Sequence, residues 1–310
     1  MKLKWILLIV LMYFGKSTAQ NIQHFSEEKS ITSLIDGTLL IPETSEQIPL
    51  VIIIQGSGPT DRNGNQNMQK NNSLRFLAEG LINKGIACFR YDKRIVKLLK
   101  KGLLNENDII FDQFIQDANS VIDYFKNDKR FSKIYIIGHS QGSLVGMIAA
   151  QDKADGFISI AGAGQEIDDV IVDQLEKQAP GLKENARMAF DDLRVNGFTV
   201  NYSPGLSSIF RPSLQPFLLD WMQYDPQKEI AELDIPVMII NGTKDIQVDI
   251  SEAEKLKNAK PDAHYEIIEN MNHIFKEILG DGIENSKSYN EYNRPVMPIL
   301  IEKISAFILE

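Results

Sequence analysis

The chain alternates between short, almost unbroken apolar runs and longer stretches in which apolar residues recur every three or four positions. Leu50–Ile54, Ile86–Phe89, Ile134–Ile137, Phe157–Ile160 and Pro236–Ile240 are rich in β-branched residues, as strands covered on both faces are. Between them, Ser73–Lys84, Asp108–Asn127, Gln141–Gln151 and Ser251–Asn258 carry helical periodicity. Alternation through Ile31, Ser33 and Ile35, an Asp36-Gly37 turn, then Leu39 and Ile41 predicts a β-hairpin ahead of the first buried strand. His264–Ile268 adds a last strand and Pro298–Leu309 a closing amphipathic helix. Strands and helices in this alternation predict an α/β fold with a mostly parallel sheet flanked by helices.

One stretch breaks the rhythm. Between the runs at Phe157 and Pro236, helical periodicity over Ile167–Lys177 and Glu184–Val195 gives way to a Pro/Gly/Ser-spaced segment bearing Tyr202, Phe210, Phe217, Trp221 and Tyr224. So long an interruption inside a compact domain is usually functional, and it reads as a helical cap inserted over the sheet. A separately packed helical subdomain is the alternative. The division expected is residues 1–19 as a signal peptide, 20–164 as the first part of the core, 165–230 as the cap and 231–310 as the rest of the core. Lys2 and Lys4, the apolar Trp5–Phe14 and the small residues Ser17-Thr18-Ala19 support the export signal. Ten apolar residues are too few to span a membrane, so the expectation is an exported protein with no stable membrane insertion after cleavage.

Composition narrows the function classes. Of 310 residues, 43% are hydrophobic and 24% charged, which excludes a disordered or coiled-coil chain. Lys and Arg number 33 against 42 Asp and Glu, a formal charge of −9, and argue against a nucleic-acid partner. The one cysteine, Cys88, excludes an internal disulfide framework and a multi-cysteine metal site. It falls in a predicted buried strand and reads as an inert core thiol.

Gly138-His139-Ser140-Gln141-Gly142 fits G-x-S-x-G between a predicted strand and a predicted helix. That context would set the Ser140 hydroxyl on a tight turn above the sheet, with the Gln141 amide aimed at a developing oxyanion. Serine needs a base. Of His24, His139, His264 and His273, the last follows the final strand, where a loop could return it to the elbow. Asp245, just past the Pro236–Ile240 strand, is the expected orienter of that imidazole, with Asp249 as competitor. The order Ser, Asp, His is the α/β-hydrolase order, and each residue sits beyond the C-terminal end of a predicted strand. A second oxyanion donor is sought in Gln55–Asn65, where Gly56 and Gly58 let the amide of Ser57 or Gly58 approach a substrate. Asp61 and Arg62 are expected to pair within that loop.

With these residues in view, the chain resembles the α/β-hydrolase superfamily, and within it bacterial serine esterases carrying a GSGP-x-DR-x-GN loop. The resemblance runs over about residues 30–309 and includes Gly56–Asn65, Arg90-Tyr91-Asp92-Lys93-Arg94, the Ser140 elbow, the Asp245 loop and Asn272-His273-Ile274-Phe275. It implies Ser140 as nucleophile, His273 as general base, Asp245 as orienter and the Ser57 and Gln141 amides as oxyanion hole. Gln55 departs from the family's usual histidine, and Arg94-Ile-Val-Lys97 from its R-G-x-G-x-S continuation. The implied partner is a small-molecule ester of small to medium acyl group, with no cofactor and no metal. Phe210, Phe217, Trp221 and Tyr224 would either shape the pocket or bind cap to sheet. The alternatives are thioester or peptide hydrolysis at the same residues, or a non-catalytic exported binding protein. A peptidase would need cap acids for a free amine, and Asp168, Asp169, Asp173, Asp191 and Asp192 read instead as solvated helix faces.

Overall fold

A computed structural model describes residues 23–310; the expected signal segment over 1–19 lies outside them. Eight strands form one sheet: β1 (His24–Ser30), β2 (Asp36–Pro42), β3 (Ile48–Ile54), β4 (Ala87–Tyr91), β5 (Phe131–His139), β6 (Gly156–Ile160), β7 (Val237–Gly242) and β8 (His264–Ile268). Their spatial order is β1-β2-β4-β3-β5-β6-β7-β8. The β1/β2 and β2/β4 pairings are antiparallel and all others parallel. Side chains of β3 alternate between two cores, as a period of two requires. Leu50, Ile52 and Ile54 join Phe114, Leu144 and Leu256 on one face, while Val51 and Ile53 join Leu77, Leu81, Leu300 and Ile304 on the other. Helices Asp112–Phe125, Gln141–Ala150 and Ile250–Ala259 therefore cover the first face, and Ser73–Ile82 and Pro298–Leu309 the second.

The hairpin is displaced from its expected place. Its first strand is the polar edge segment His24–Ser30, Ile31–Ile35 is the turn, and Asp36-Gly37 lies inside β2. Ile31 N donates to the Ile35 carbonyl at 2.8 Å, and the Thr32 hydroxyl accepts from the amides of Leu34 and Ile35. Such side-chain capping makes a turn out of residues whose apolar spacing suggests a strand. Gly37 is required by packing rather than turning, since a Cβ there would run into the Phe89 ring. The helix expected over Asp108–Asn127 is Asp112–Phe125, preceded by a short 3-10 turn at Glu106–Asp108. A further helix, Arg94–Lys100, follows β4.

Between β6 and β7 the chain forms helices Ile167–Gln178, Lys183–Asn196, Ser207–Phe210, Gln215–Trp221 and Pro226–Ala231. They enclose an apolar cluster of their own around Phe190, Leu193, Phe210 and Leu218. Phe210 is spent inside it, whereas Trp221 stacks on Phe111 with ring centroids 5.3 Å apart. Phe217 and Tyr224 pack on the same ring, and the Tyr224 hydroxyl donates to Asp112 at 2.6 Å. Asp168 does not belong to a solvated face. It is buried and paired with Arg187 at 2.6 Å and Arg194 at 2.9 Å, because the neighbouring helix presents both guanidiniums seven residues apart on one side.

Candidate active site

Ser140 joins β5 to the helix Gln141–Ala150 with φ 55° and ψ −122°, a backbone conformation a non-glycine residue holds only when its surroundings enforce it. The flanking glycines supply that enforcement. A Cβ at Gly138 would strike the Gly142 carbonyl, and one at Gly142 would strike the Ile54 and Gln55 carbonyls. The elbow is thus pressed against the end of β3. Ser140 N donates to the Ile160 carbonyl of β6 at 3.0 Å, and Ser143 N to the Ser140 carbonyl at 2.8 Å. The Gln141 amide opens the helix, at its positive end.

His273 and Asp245 meet. His273 Nδ1–H donates to Asp245 Oδ2 at 2.8 Å with both side chains almost wholly buried. Asp245 Oδ1 accepts from the amides of Gln247 and Val248 at 2.8 and 2.9 Å, so the carboxylate is fixed before it meets the ring. With its proton on Nδ1, the imidazole leaves Nε2 as a base. Asn272 holds the loop by accepting from Ile274 N and Lys276 N and donating to Asn285 and Ser288. Ser140 and His273 stand in the wall of one cavity of about 70 Å3. The Ser140 hydroxyl is not hydrogen-bonded to His273 in this structure, and such bonds often tighten only with substrate in place. Asp249 takes another role: it caps the helix Ile250–Ala259 through Ser251 N and pairs with Lys177. His264 is an exposed strand residue against Phe307, and His24 lies in the edge strand β1.

His139 is buried beside the site. Its Nε2 lies 2.9 Å from the His273 carbonyl and must donate, since a carbonyl only accepts. Burial, together with the neighbouring His273, pushes its pKa down to about 3, so the ring stays neutral.

The loop over Gln55–Asn65 is built from the strand end opposite it. Ser57 borders the 70 Å3 cavity and two others, and its carbonyl is tied back by Thr60 and Gln66, each at 2.9 Å. Arg62 does not pair with Asp61. Its guanidinium grips Asp92 at 3.0 and 3.2 Å and also reaches Glu28 and Thr38, while Asp61 accepts the amides of Asn63 and Asn65. Arg90 donates to Asn63 Oδ1 and the Arg62 carbonyl, and Gln55 Nε2 donates to the Tyr91 carbonyl. Lys93 was legible as part of a motif but not as a neighbour of the site. Its buried Nζ donates to Gln141 Oε1 at 2.6 Å and sits 4.7 Å from the Phe114 ring centre. Burial pushes its pKa down to about 7.

Two further spaces adjoin. One of about 210 Å3 is bordered by Ser57, Ser140, Gln141, Leu144, Ile171 and Trp221. The other, of about 500 Å3, shares Ser57, Gln141, Ile171 and Trp221 and extends between Ile95, Phe114, Leu214 and Phe217. Trp221 and Phe217 therefore both shape the space and bind the helical segment to the core.

A family model described as serine aminopeptidase, S33 matches residues 72–279, more than half the chain, and the match includes Ser140, Asp245 and His273. The chain belongs to this family. Among characterised proteins, Esterase EstD of Thermotoga maritima is 29% identical over 281 residues, covering 85% of this chain and 63% of that protein. The chain thus spans somewhat under two thirds of that relative's length. Among solved structures, Est1E from Butyrivibrio proteoclasticus is similar with a TM-score of 0.58 at 16% identity, over 92% of this chain and 99% of that one. The Pyrococcus furiosus esterase PF2001 gives 0.55 at 13%, over 93% and 91%. The fold is the α/β-hydrolase fold, and the chain is a member of the S33 family within it. Among the described residues no helix is long and apolar enough to cross a membrane.

Proposed function

We propose that the protein is a serine hydrolase of carboxylic esters, working through an acyl-enzyme on Ser140. The observation that carries this reading is the 2.8 Å hydrogen bond from His273 to a pre-fixed Asp245, on a loop sharing a cavity with a serine held in a strained elbow. His273 Nε2 takes the Ser140 proton as the oxygen attacks the ester carbonyl, and Asp245 steadies the imidazolium. The amides of Ser57 and Gln141 hold the oxyanion, each worth about 2.7–4 kcal/mol to the barrier by analogy with other oxyanion donors. His273 then protonates the leaving alcohol, and water releases the acid by the same route. The relative EstD is named an esterase, and the resemblance of the Gly56–Asn65 loop to the GSGP-x-DR-x-GN loop of bacterial serine esterases supports the same reading. Against peptide hydrolysis stands Asp168, the most buried of the cap acids considered for binding a free amine, because it is committed to Arg187 and Arg194.

In this reading residues 165–230 form the cap over the 20–164 and 231–310 core, and the protein acts outside the cytoplasm once 1–19 is removed. The substrate is a small to medium apolar or aromatic acyl ester. The test is covalent labelling with a fluorophosphonate together with hydrolysis of p-nitrophenyl butyrate. Label on Ser140, and loss of at least a thousandfold of turnover in Ser140→Ala and His273→Ala but not in His264→Ala, is expected. Equal turnover by Ser140→Ala and the wild type refutes the reading.

A further inference from the structure

Asp245 and His273 sit on different loops, one after β7 and one after β8, so their 2.8 Å bond is only as well set as the two loops are against each other. The backbone supplies one direct tie, from Lys244 N to the Met271 carbonyl at 2.9 Å. A second tie runs through a side chain. The carboxamide of Asn285, in the short helix Gly282–Ser288, accepts from Asn272 Nδ2 at 2.9 Å and donates to the Lys244 carbonyl at 2.7 Å. Asn272 immediately precedes His273, and Lys244 immediately precedes Asp245. One planar group therefore spans the two chain segments that lead into the pair. Its partners fix its orientation, since a carbonyl can only accept and an amide nitrogen can only donate. Asn272, Asn285 and Ser288 are all buried, and the Ser288 hydroxyl closes the group by accepting from Asn272 at 2.8 Å and donating to the Asn285 carbonyl at 2.6 Å. An apolar side chain at 285 leaves the Lys244 carbonyl and an Asn272 N–H without that partner, and the two loops must shift to satisfy them. The stretch that carries Asn285 lies beyond residue 279, where the family match ends. It also braces the segment that follows the Gln55–Asn65 loop: Asn290 Oδ1 accepts from Lys70 N and the Tyr292 carbonyl from Asn72 Nδ2, each at 3.1 Å.

We propose that Asn285 is a positioning residue for the His273–Asp245 pair: by bridging Asn272 to Lys244 it sets the distance and tilt between imidazole and carboxylate. Its effect on rate rests on the ester-hydrolase reading above, whereas its effect on the His273–Asp245 bond does not. Asn285 is not among the residues bordering the three cavities that meet at Ser57, so it acts through the pair and not on substrate. Without the bridge, the Lys244–Met271 tie remains, and Met271 and Phe275 stay packed in the core of the sheet. The loss is one of alignment, not of fold.

The experiment is Asn285→Ala in the full chain, with three readings. On p-nitrophenyl butyrate, kcat should fall about 10- to 100-fold while KM stays within about twofold of wild type, as misalignment without loss of substrate contacts requires. The proton shared by His273 and Asp245, a far-downfield NMR resonance identified by its loss in His273→Gln, should move upfield or broaden while the far-UV circular dichroism is unchanged. In an Asp245→Asn background, where no carboxylate is left to align, Asn285→Ala should lower kcat by less than about twofold further. The full loss repeated in that background would mean that Asn285 acts on the molecule at large, and overturns the proposal. An unmoved resonance, or a kcat within about twofold of wild type, overturns it as well. Asn285→Ser, whose hydroxyl can serve only one of the two partners well, gives the same readings with smaller changes should the alanine variant fail to fold. If no ester is turned over and Ser140 takes no fluorophosphonate, the ester-hydrolase reading fails, and the resonance still decides whether Asn285 sets the pair.

Discussion

At the scale of single residues, Lys93 is the least expected member of the site. A buried ammonium costs free energy unless something compensates it, and here the partners are an amide oxygen and an aromatic face rather than a carboxylate. What it gains is a fixed Gln141 side chain, which in the proposed mechanism stands beside the amide that meets the developing oxyanion, where the protonated form of Lys93 would favour the negative charge. Lys93→Met should lower kcat about tenfold, or ~1.4 kcal/mol, with little change in KM, because the interaction matters most in the transition state. The stability trend runs separately. The folded-state pKa of Lys93 is pushed down to about 7 from 10.5, so between those values the unfolded chain holds the proton that the folded chain has shed. Wild-type stability therefore gains from this group as pH rises through that window. The melting temperature of Lys93→Met relative to wild type should be highest at or below pH 7 and fall steadily toward pH 10. His139 works in the acid range by the same logic. Its folded pKa of about 3 lies below the ordinary 6.5, so stability is lost as pH falls from 6.5 toward 3. His139→Gln should flatten that part of the melting curve.

At the scale of elements, the loop over Gln55–Asn65 and the end of β4 act as one unit. Arg62 meets Asp92 with two parallel hydrogen bonds, the geometry that makes arginine–carboxylate pairs specific. Arg62→Ala and Asp92→Ala should each lower kcat/KM by 10- to 100-fold, as expected if the proposed Ser57 donor loses its support. The double variant should cost much less than the sum, which a double-mutant cycle on kcat/KM measures. Fully additive losses would mean that the pair does not hold the loop. Both residues stood out in the sequence, but their partnership did not. Adjacency suggested Asp61, whereas Asp92 arrives through the parallel pairing of β3 with β4, a long-range register that no local pattern encodes. The displaced hairpin has a related cause. β1 is a largely exposed edge strand, so the burial that produces alternation is absent, while the turn carries apolar Ile31 and Ile35. By contrast, the elbow was legible because strand, glycine pair and helix are consecutive. The His273–Asp245 pairing was legible because both residues follow neighbouring parallel strands, β8 and β7.

At the scale of the whole molecule, the sheet announced itself through its doubly buried strands, but the seating of the helices between β6 and β7 did not. Phe111, ahead of a core helix, receives Trp221, Phe217 and Tyr224, and sequence periodicity says nothing about which element an aromatic will meet. Asp168 is the second such case. Its side chain is only 3% exposed, yet its position beside Asp169 suggested a wet surface. Burial raises its pKa, but hydrogen bonds from Arg187 and Arg194 outweigh that and leave it below the ordinary carboxylate value. Its contribution is therefore present above the unfolded pKa near 3.8 and lost as pH drops through the lower folded value. Asp168→Ala removes the centre of this pairing and leaves two partly exposed guanidiniums facing each other. Because those guanidiniums retain some water, the expected cost is about 1–3 kcal/mol rather than the larger penalty of a fully dry pair. That cost should fall on the helices alone, since they enclose their own apolar cluster. Hydrogen exchange should accelerate across residues 167–196 while β3, β5 and β7 keep wild-type protection. If the strands open to the same extent, the helices and the sheet form one cooperative unit, and a separately yielding cap is ruled out.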